Sequence, residues 1–158
     1  PCFGSGTIPR ALRRAGYDRV VASDIVDRGA EGAFVWDFFC PELLAIQADH
    51  IVSNPPYLRL TDFIELALTR AAKSVAVLTG IRFLASQERY WLFKATPIKQ
   101  VLILSRRPSM PPGDSSIKAQ GGKQDYCWLV FDHNFAGPPR IDWIMPIEDI
   151  RRAARGRA

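Results

Sequence analysis

Short apolar runs alternate with helical patterns along most of this chain, and that alternation restricts the fold more than any single motif does. "RVVASD" (19–24), "DHIVSN" (49–54), "SVAVLTG" (74–80) and "IKQVLILS" (98–105) read as buried strands. Between them, "TIPRALRRAG" (7–16) carries Ile8, Leu12 and Ala15 near helical spacing, with Gly16 placed to stop the helix. "TDFIELALTRAA" (61–72) has a broad apolar face of Phe63, Ile64, Leu66, Ala67 and Ala71, and Thr61 is placed to cap it. A further helix is expected around 86–94, and a turn with a short helix over 36–47, after a glycine-rich connection at 26–34. Strand and helix in regular alternation predict an α/β fold with a mostly parallel sheet covered on both faces. "DYCWLVFDH" (125–133) follows a strand with no helix between, so it should run antiparallel.

Residues 106–124, "RRPSMPPGDSSIKAQGGKQ", break the pattern with prolines, glycines and charges and read as a long exposed loop. Residues 151–158, "RRAARGRA", form a basic tail. With 158 residues, 47% of them hydrophobic, the chain can build one good core, so 1–150 is read as a single domain. The net charge of +5 and the pI near 9.4 favour a polyanionic partner. Cys2, Cys40 and Cys127 lack the number and spacing of a disulfide framework or zinc knot, and His50 and His133 stand isolated. No metal is expected. No run approaches the roughly 18 apolar residues of a membrane span, so the expectation is a soluble protein of the reducing cytoplasm.

Chemistry enters at strand ends. "GSG" (4–6) opens the first helix, where glycine lets a backbone come close to a ligand; a tight strand-to-helix turn needs the same residues. Asp24 closes the next strand. A carboxylate about 20 residues beyond such glycines can accept both hydroxyls of a ribose, while alone it reads as a cap or a solvated strand end. In "WDFF" (36–39), Asp37 offers an acceptor for an exocyclic amine and Phe38 a stacking face; the alternatives are a helix cap and a core aromatic.

"SNPPY" (53–57) ends an apolar strand abruptly. Asn54 supplies a side-chain carbonyl, and Pro55 a backbone carbonyl whose direction the ring of Pro56 restrains. Two acceptors converging on one amine can hold both of its hydrogens, and Tyr57 adds a flat face for a heterocycle. Asn-Pro-Pro is also an ordinary turn signal. Its place after a buried strand, downstream of glycines and an acid, favours the functional reading.

Taken in order, "PCFGSG", "SD" at 23–24, "DFF" at 37–39 and "NPPY" at 54–57 resemble the class I S-adenosylmethionine-dependent methyltransferases. The likeness is to the amino-methyltransferases with an N-P-P-Y motif, such as DNA adenine-N6 methyltransferases. That resemblance implies a Rossmann-like seven-stranded sheet ending in an antiparallel hairpin. The family's first, central strand and the acid before its motif proline are missing, because the sequence starts at Pro1. It implies S-adenosylmethionine as cofactor, with no metal, lying against Pro1, Cys2, Phe3, Gly4 and Gly6. Asp24 and Ile25 would meet its ribose, and Asp37 with Phe38 its adenine. Asn54, Pro55, Pro56 and Tyr57 would form the catalytic motif.

The substrate expected is adenine N6 in DNA. The same motif also serves enzymes acting on RNA bases or a protein glutamine amide, and a cofactor-binding remnant without activity is a further alternative. Arg106, Arg107, Lys118 and Lys123 in or beside the long loop are candidate phosphate contacts, whereas Arg10, Arg13 and Arg14 on the first helix read as a solvated face. No segment is large enough for a separate target-recognition domain, so sequence readout would fall to loops or a partner protein.

Overall fold

In the computed structural model, residues 1–27, 29, 32–41, 47–109, 122 and 124–145 are described. They form three helices, α1 (Thr7–Arg14), α2 (Leu60–Arg70) and α3 (Tyr90–Ala95). The strands are β1 (Ala22–Asp24), β2 (Ala33–Val35), β3 (Ala48–Ser53), β4 (Ala71–Gly80), β5 (Ile98–Leu104), β6 (Tyr126–Asp132) and β7 (Arg140–Ile144). The α/β class expected from the alternation is present.

The sheet, however, is mixed and divided. β1 and β2 pair in parallel as a two-stranded sheet, and the remaining strands form a second sheet in the order β3-β4-β6-β5-β7. Within it β3 runs parallel to β4 and β5 parallel to β7, while β6 lies antiparallel to both β4 and β5. β6 therefore runs antiparallel to its neighbours, as expected for "DYCWLVFDH". Two elements went unpredicted. β2 sits in what reads as a glycine-rich connection, and β7 is a short, fully exposed edge strand.

The core is built on α2. Phe63, Ile64 and Ala67 on one face of that helix are buried together with Val75 and Val77 of β4 and Leu129 and Phe131 of β6, and Leu92 of α3 joins the same cluster. Spacing of three and four residues brings these α2 side chains onto one stripe. Each large aliphatic or aromatic side chain fully buried there contributes about 1.5–3 kcal/mol. Thr61 does not cap α2. The helix begins one residue earlier, fed by a 3-10 turn over Tyr57–Arg59, and no side chain caps it. The helix expected at 86–94, in contrast, starts late, at Tyr90, after a 3-10 turn over Gln87–Arg89. The short helix expected within 36–47 falls mainly on 42–46, outside the described residues, as do most of the 106–124 loop and the basic tail.

Among the described residues, β1 pairs only with β2 and β3 only with β4, so each presents a second edge without a strand partner. A cleft of about 1060 Å³ is lined by Val20–Ser23 on one side and Ala48–Val52 on the other. Residues Pro1–Phe3 bridge the two sheets: the Phe3 amide donates to the Ser23 carbonyl at 2.9 Å, and Ser53 Oγ donates to the Pro1 carbonyl at 2.9 Å. No helix among the described residues is long and apolar enough to cross a membrane.

Candidate functional site

Parallel strands collect their carboxyl ends on one edge of a sheet, where chain reversals leave room for a ligand. Asp24 is the last residue of β1, Asp37 lies just past β2, Asn54 follows β3 directly, and Gly80 closes β4. Tyr126 opens antiparallel β6 in register with Gly80, so it reaches the same edge from the opposite direction. The topology therefore gathers at strand ends most of the residues that the sequence singled out.

The glycine loop is shaped by its backbone. Gly4 (φ 55°) and Gly6 (φ 75°) both adopt left-handed conformations that side chains disfavour. A Cβ at Gly6 would sit 2.6 Å from Cζ of Phe3, whereas one at Gly4 would meet nothing within 4 Å. A side chain at Gly6 would have to push aside the tips of Phe3 and Arg10 in addition to its backbone strain, whereas Gly4 fronts open space of the kind a ligand can use. Cys2 also takes positive φ, 57°, which costs a non-glycine residue about 1–2 kcal/mol.

Asp24 ties this loop to β1. Its Oδ2 accepts from the Gly4 amide at 2.8 Å and its Oδ1 from the Val26 amide at 3.1 Å. The carboxylate thus closes a turn at the end of β1 and holds the glycine loop against it. Ile25 beside it is exposed. The Cys2 thiol is pushed up chiefly by burial, with the nearby charges of Asp24 and Asp37 adding to that and a hydrogen bond to Ser53 opposing it. Cys2, Ser53, Asp24 and Asp37 consequently share one neighbourhood.

Asp37 folds its own turn: Oδ1 accepts from the Phe39 amide at 2.9 Å, and its carbonyl accepts from the Cys40 amide at 3.0 Å. The ring of Phe38 rests on Phe63 with centroids 4.5 Å apart. Phe38 is therefore anchored to the core, as its simpler reading has it, while Asp37 beside it is exposed.

In the "NPPY" stretch, Ser53 and Pro55 are buried and Asn54 and Pro56 exposed. Pro56 is extended (φ −60°, ψ 132°), and Tyr57 starts the 3-10 turn, 43% exposed. Burial raises the Tyr57 phenol well above its ordinary range, and a hydrogen bond with Tyr126 adds to the shift. Tyr57 thus keeps its proton at physiological pH and offers a partly open ring whose hydroxyl is held. Sequence reasoning missed Tyr126. Its chain neighbours give no signal; only the β4–β6 register brings it to Tyr57.

The basic candidates divide. Arg107 makes a two-pronged pair with Asp125, at 2.6 and 3.3 Å, so its charge is already matched. Arg106 is exposed, and Lys118 and Lys123 lie outside the described residues. On α1, Arg10 donates to the Ser5 carbonyl at 2.7 Å and Arg13 to the Val20 carbonyl at 3.2 Å. Those arginines brace the glycine loop and the lead into β1. Among the described residues, no three or more His, Cys, Asp or Glu side chains are grouped as metal ligands would be.

No family model matches the chain, and no curated protein matches it significantly.

Proposed function

We propose that this chain is the cofactor-binding and catalytic part of an S-adenosylmethionine-dependent N-methyltransferase acting on adenine N6 in DNA. The observation that carries the reading is the placement of Asn54 and Pro55 immediately after β3, with Tyr57 beside them, on the strand-end edge that also holds the glycine loop, Asp24 and Asp37. Strand order adds support. The parallel pairs β2-β1 and β3-β4 flank the cleft, and one further parallel strand there would join them into a single Rossmann-like sheet.

The residues fit the cofactor. Gly4 leaves open space at the start of α1, Asp24 provides a carboxylate for ribose hydroxyls, and Asp37 an acceptor for the adenine amine. When bound, S-adenosylmethionine supplies an activated methyl group on a sulfonium. The chain's own work is positional. Asn54 Oδ1 and the Pro55 carbonyl accept the two hydrogens of the target amine and favour the pyramidal geometry that frees its lone pair. The extended Pro56 keeps that carbonyl in direction, and Tyr57 stacks on a base withdrawn from the helix. The basic net charge favours nucleic acid over a protein amide.

The test is transfer of labelled methyl from S-adenosylmethionine to adenine-containing duplex DNA, with RNA and glutamine-containing protein run beside it. Transfer to DNA, abolished in Asn54→Ala, is the expected result. Transfer only to RNA or protein would overturn the substrate, and none to any substrate by a protein that binds cofactor would favour an inactive binding module.

A further inference from the structure

Arg70, the last residue of α2, is buried at 5% exposure, and no carboxylate among the described residues pairs with it. Its two hydrogen bonds run to neutral carbonyls, an arrangement in which burying a guanidinium is costly, and its Nε is buried without a hydrogen-bond partner among the described residues. An apolar side chain would fill that position more cheaply, so the fork must be explained by what it holds.

Helical side chains lean toward the N-terminus, so Arg70 reaches back along α2. Its Nη1 donates to the Phe38 carbonyl at 2.5 Å and its Nη2 to the Cys40 carbonyl at 3.1 Å. Its guanidinium carbon lies 4.8 Å from the Phe38 ring centroid, and that ring rests in turn on Phe63. One rigid, planar group thus grips two carbonyls of the turn that begins at Asp37. A lysine could satisfy one of them but not both in a fixed plane.

We propose that Arg70 is a positioning residue that sets the Asp37–Cys40 turn, and through it the selectivity of the site for adenine in the cofactor. The inference rests on the cofactor reading above. Asp37 accepts a hydrogen bond from an exocyclic amine, which adenine has and hypoxanthine lacks. Discrimination between the two depends on where the turn holds that carboxylate, and Arg70 acts on that place through the Phe38 and Cys40 carbonyls.

The experiment is titration calorimetry of S-adenosylhomocysteine and S-inosylhomocysteine against wild type, Arg70→Lys and Arg70→Met, with thermal unfolding recorded for each. Wild type should prefer the adenine compound by about tenfold or more, the worth of one charge-assisted hydrogen bond. In Arg70→Met the preference should fall to within about threefold, with Arg70→Lys between. A folded Arg70→Met with the wild-type ratio would overturn the proposal. Should Arg70→Met not fold, an unchanged ratio in Arg70→Lys does so instead. Wild type binding neither compound would overturn the cofactor reading, and wild type binding both equally would overturn the role of Asp37. Both results differ from a ratio that is present but insensitive to Arg70.

Discussion

The backbone amide of Gly4 donates to Asp24 Oδ2 at 2.8 Å, a bond that joins the glycine loop to the end of β1 across 20 residues of sequence. One carboxylate therefore shapes the loop and faces the proposed ribose site. Asp24→Ala should weaken S-adenosylmethionine binding by roughly 1.5–3 kcal/mol, the range for a charge-assisted hydrogen bond. Asp24→Asn, which keeps an oxygen acceptor, should lose less. Calorimetry giving wild-type affinity for Asp24→Ala would take this residue out of the site.

Gly6 tests the loop by shape alone. Its φ of 75° and the 2.6 Å separation that an alanine methyl would have from the Phe3 ring make Gly6→Ala unfavourable twice over. The backbone part costs about 1–2 kcal/mol. Gly4→Ala shares the backbone part without the collision. Chemical denaturation should rank Gly6→Ala below Gly4→Ala in stability. The reverse order would show that Phe3 moves aside freely.

Cys2 offers a chemical probe of the same neighbourhood. Because burial raises its thiol, little thiolate is present at neutral pH, and alkylation should accelerate as pH rises past the ordinary thiol range. Cys127, fully buried and pushed up to about 11, serves as an unreactive internal reference. S-adenosylmethionine should protect Cys2 from iodoacetamide, read by mass spectrometry. Equal labelling with and without cofactor would separate Cys2 from the binding site.

How far the sequence reaches can be seen residue by residue. β3 is legible because Pro55 and Pro56 end it and α2 follows, and β4 through its apolar run at 75–78, although the strand begins before Ser74, at Ala71, where the pattern still looks helical. β2, only Ala33–Val35, is too short to show alternation, and β7 alternates polar and apolar residues over only a few positions, all of them exposed. Thr61 is a good cap by type, but the chain enters α2 through a 3-10 turn that already sets its start. The strand-end places of Asp24, Asp37 and Asn54 were legible because strand ends are local features. Tyr126 and Arg70 were not, since each acts across the fold: one depends on the β4–β6 register, the other on how α2 meets the turn after β2.

Lys99 and Asp132 pair at 2.8 Å between β5 and β6, and that bond, with the Asn134 amide, holds the Asp132 carboxyl below its ordinary value. A carboxylate whose native value is depressed stabilises the fold above the unfolded value, and the contribution fades as pH falls toward the native one. Asp132→Asn should therefore flatten the acid limb of the stability profile below about pH 4 while changing little below the native value. An acid limb identical to wild type would mean that the pair contributes nothing.

Asn54, Tyr57 and Tyr126 separate an enzyme from a binding module. If Asn54 holds the amine as it becomes nucleophilic, its contact strengthens in the transition state. Asn54→Ala should then cut the transfer rate on the order of 100-fold or more while leaving cofactor affinity nearly unchanged. Tyr57→Ala should weaken capture of an extruded base by roughly 1–3 kcal/mol, the stacking range. Tyr57→Phe keeps the ring and loses only the link to Tyr126, so Tyr57→Phe and Tyr126→Phe should have similar, mild effects that do not add in the double variant. Single-turnover methyl transfer measured beside cofactor titration distinguishes the cases. Wild-type transfer by Asn54→Ala would remove the proposed mechanism, and full additivity of the two phenylalanine variants would remove the Tyr57–Tyr126 link from it.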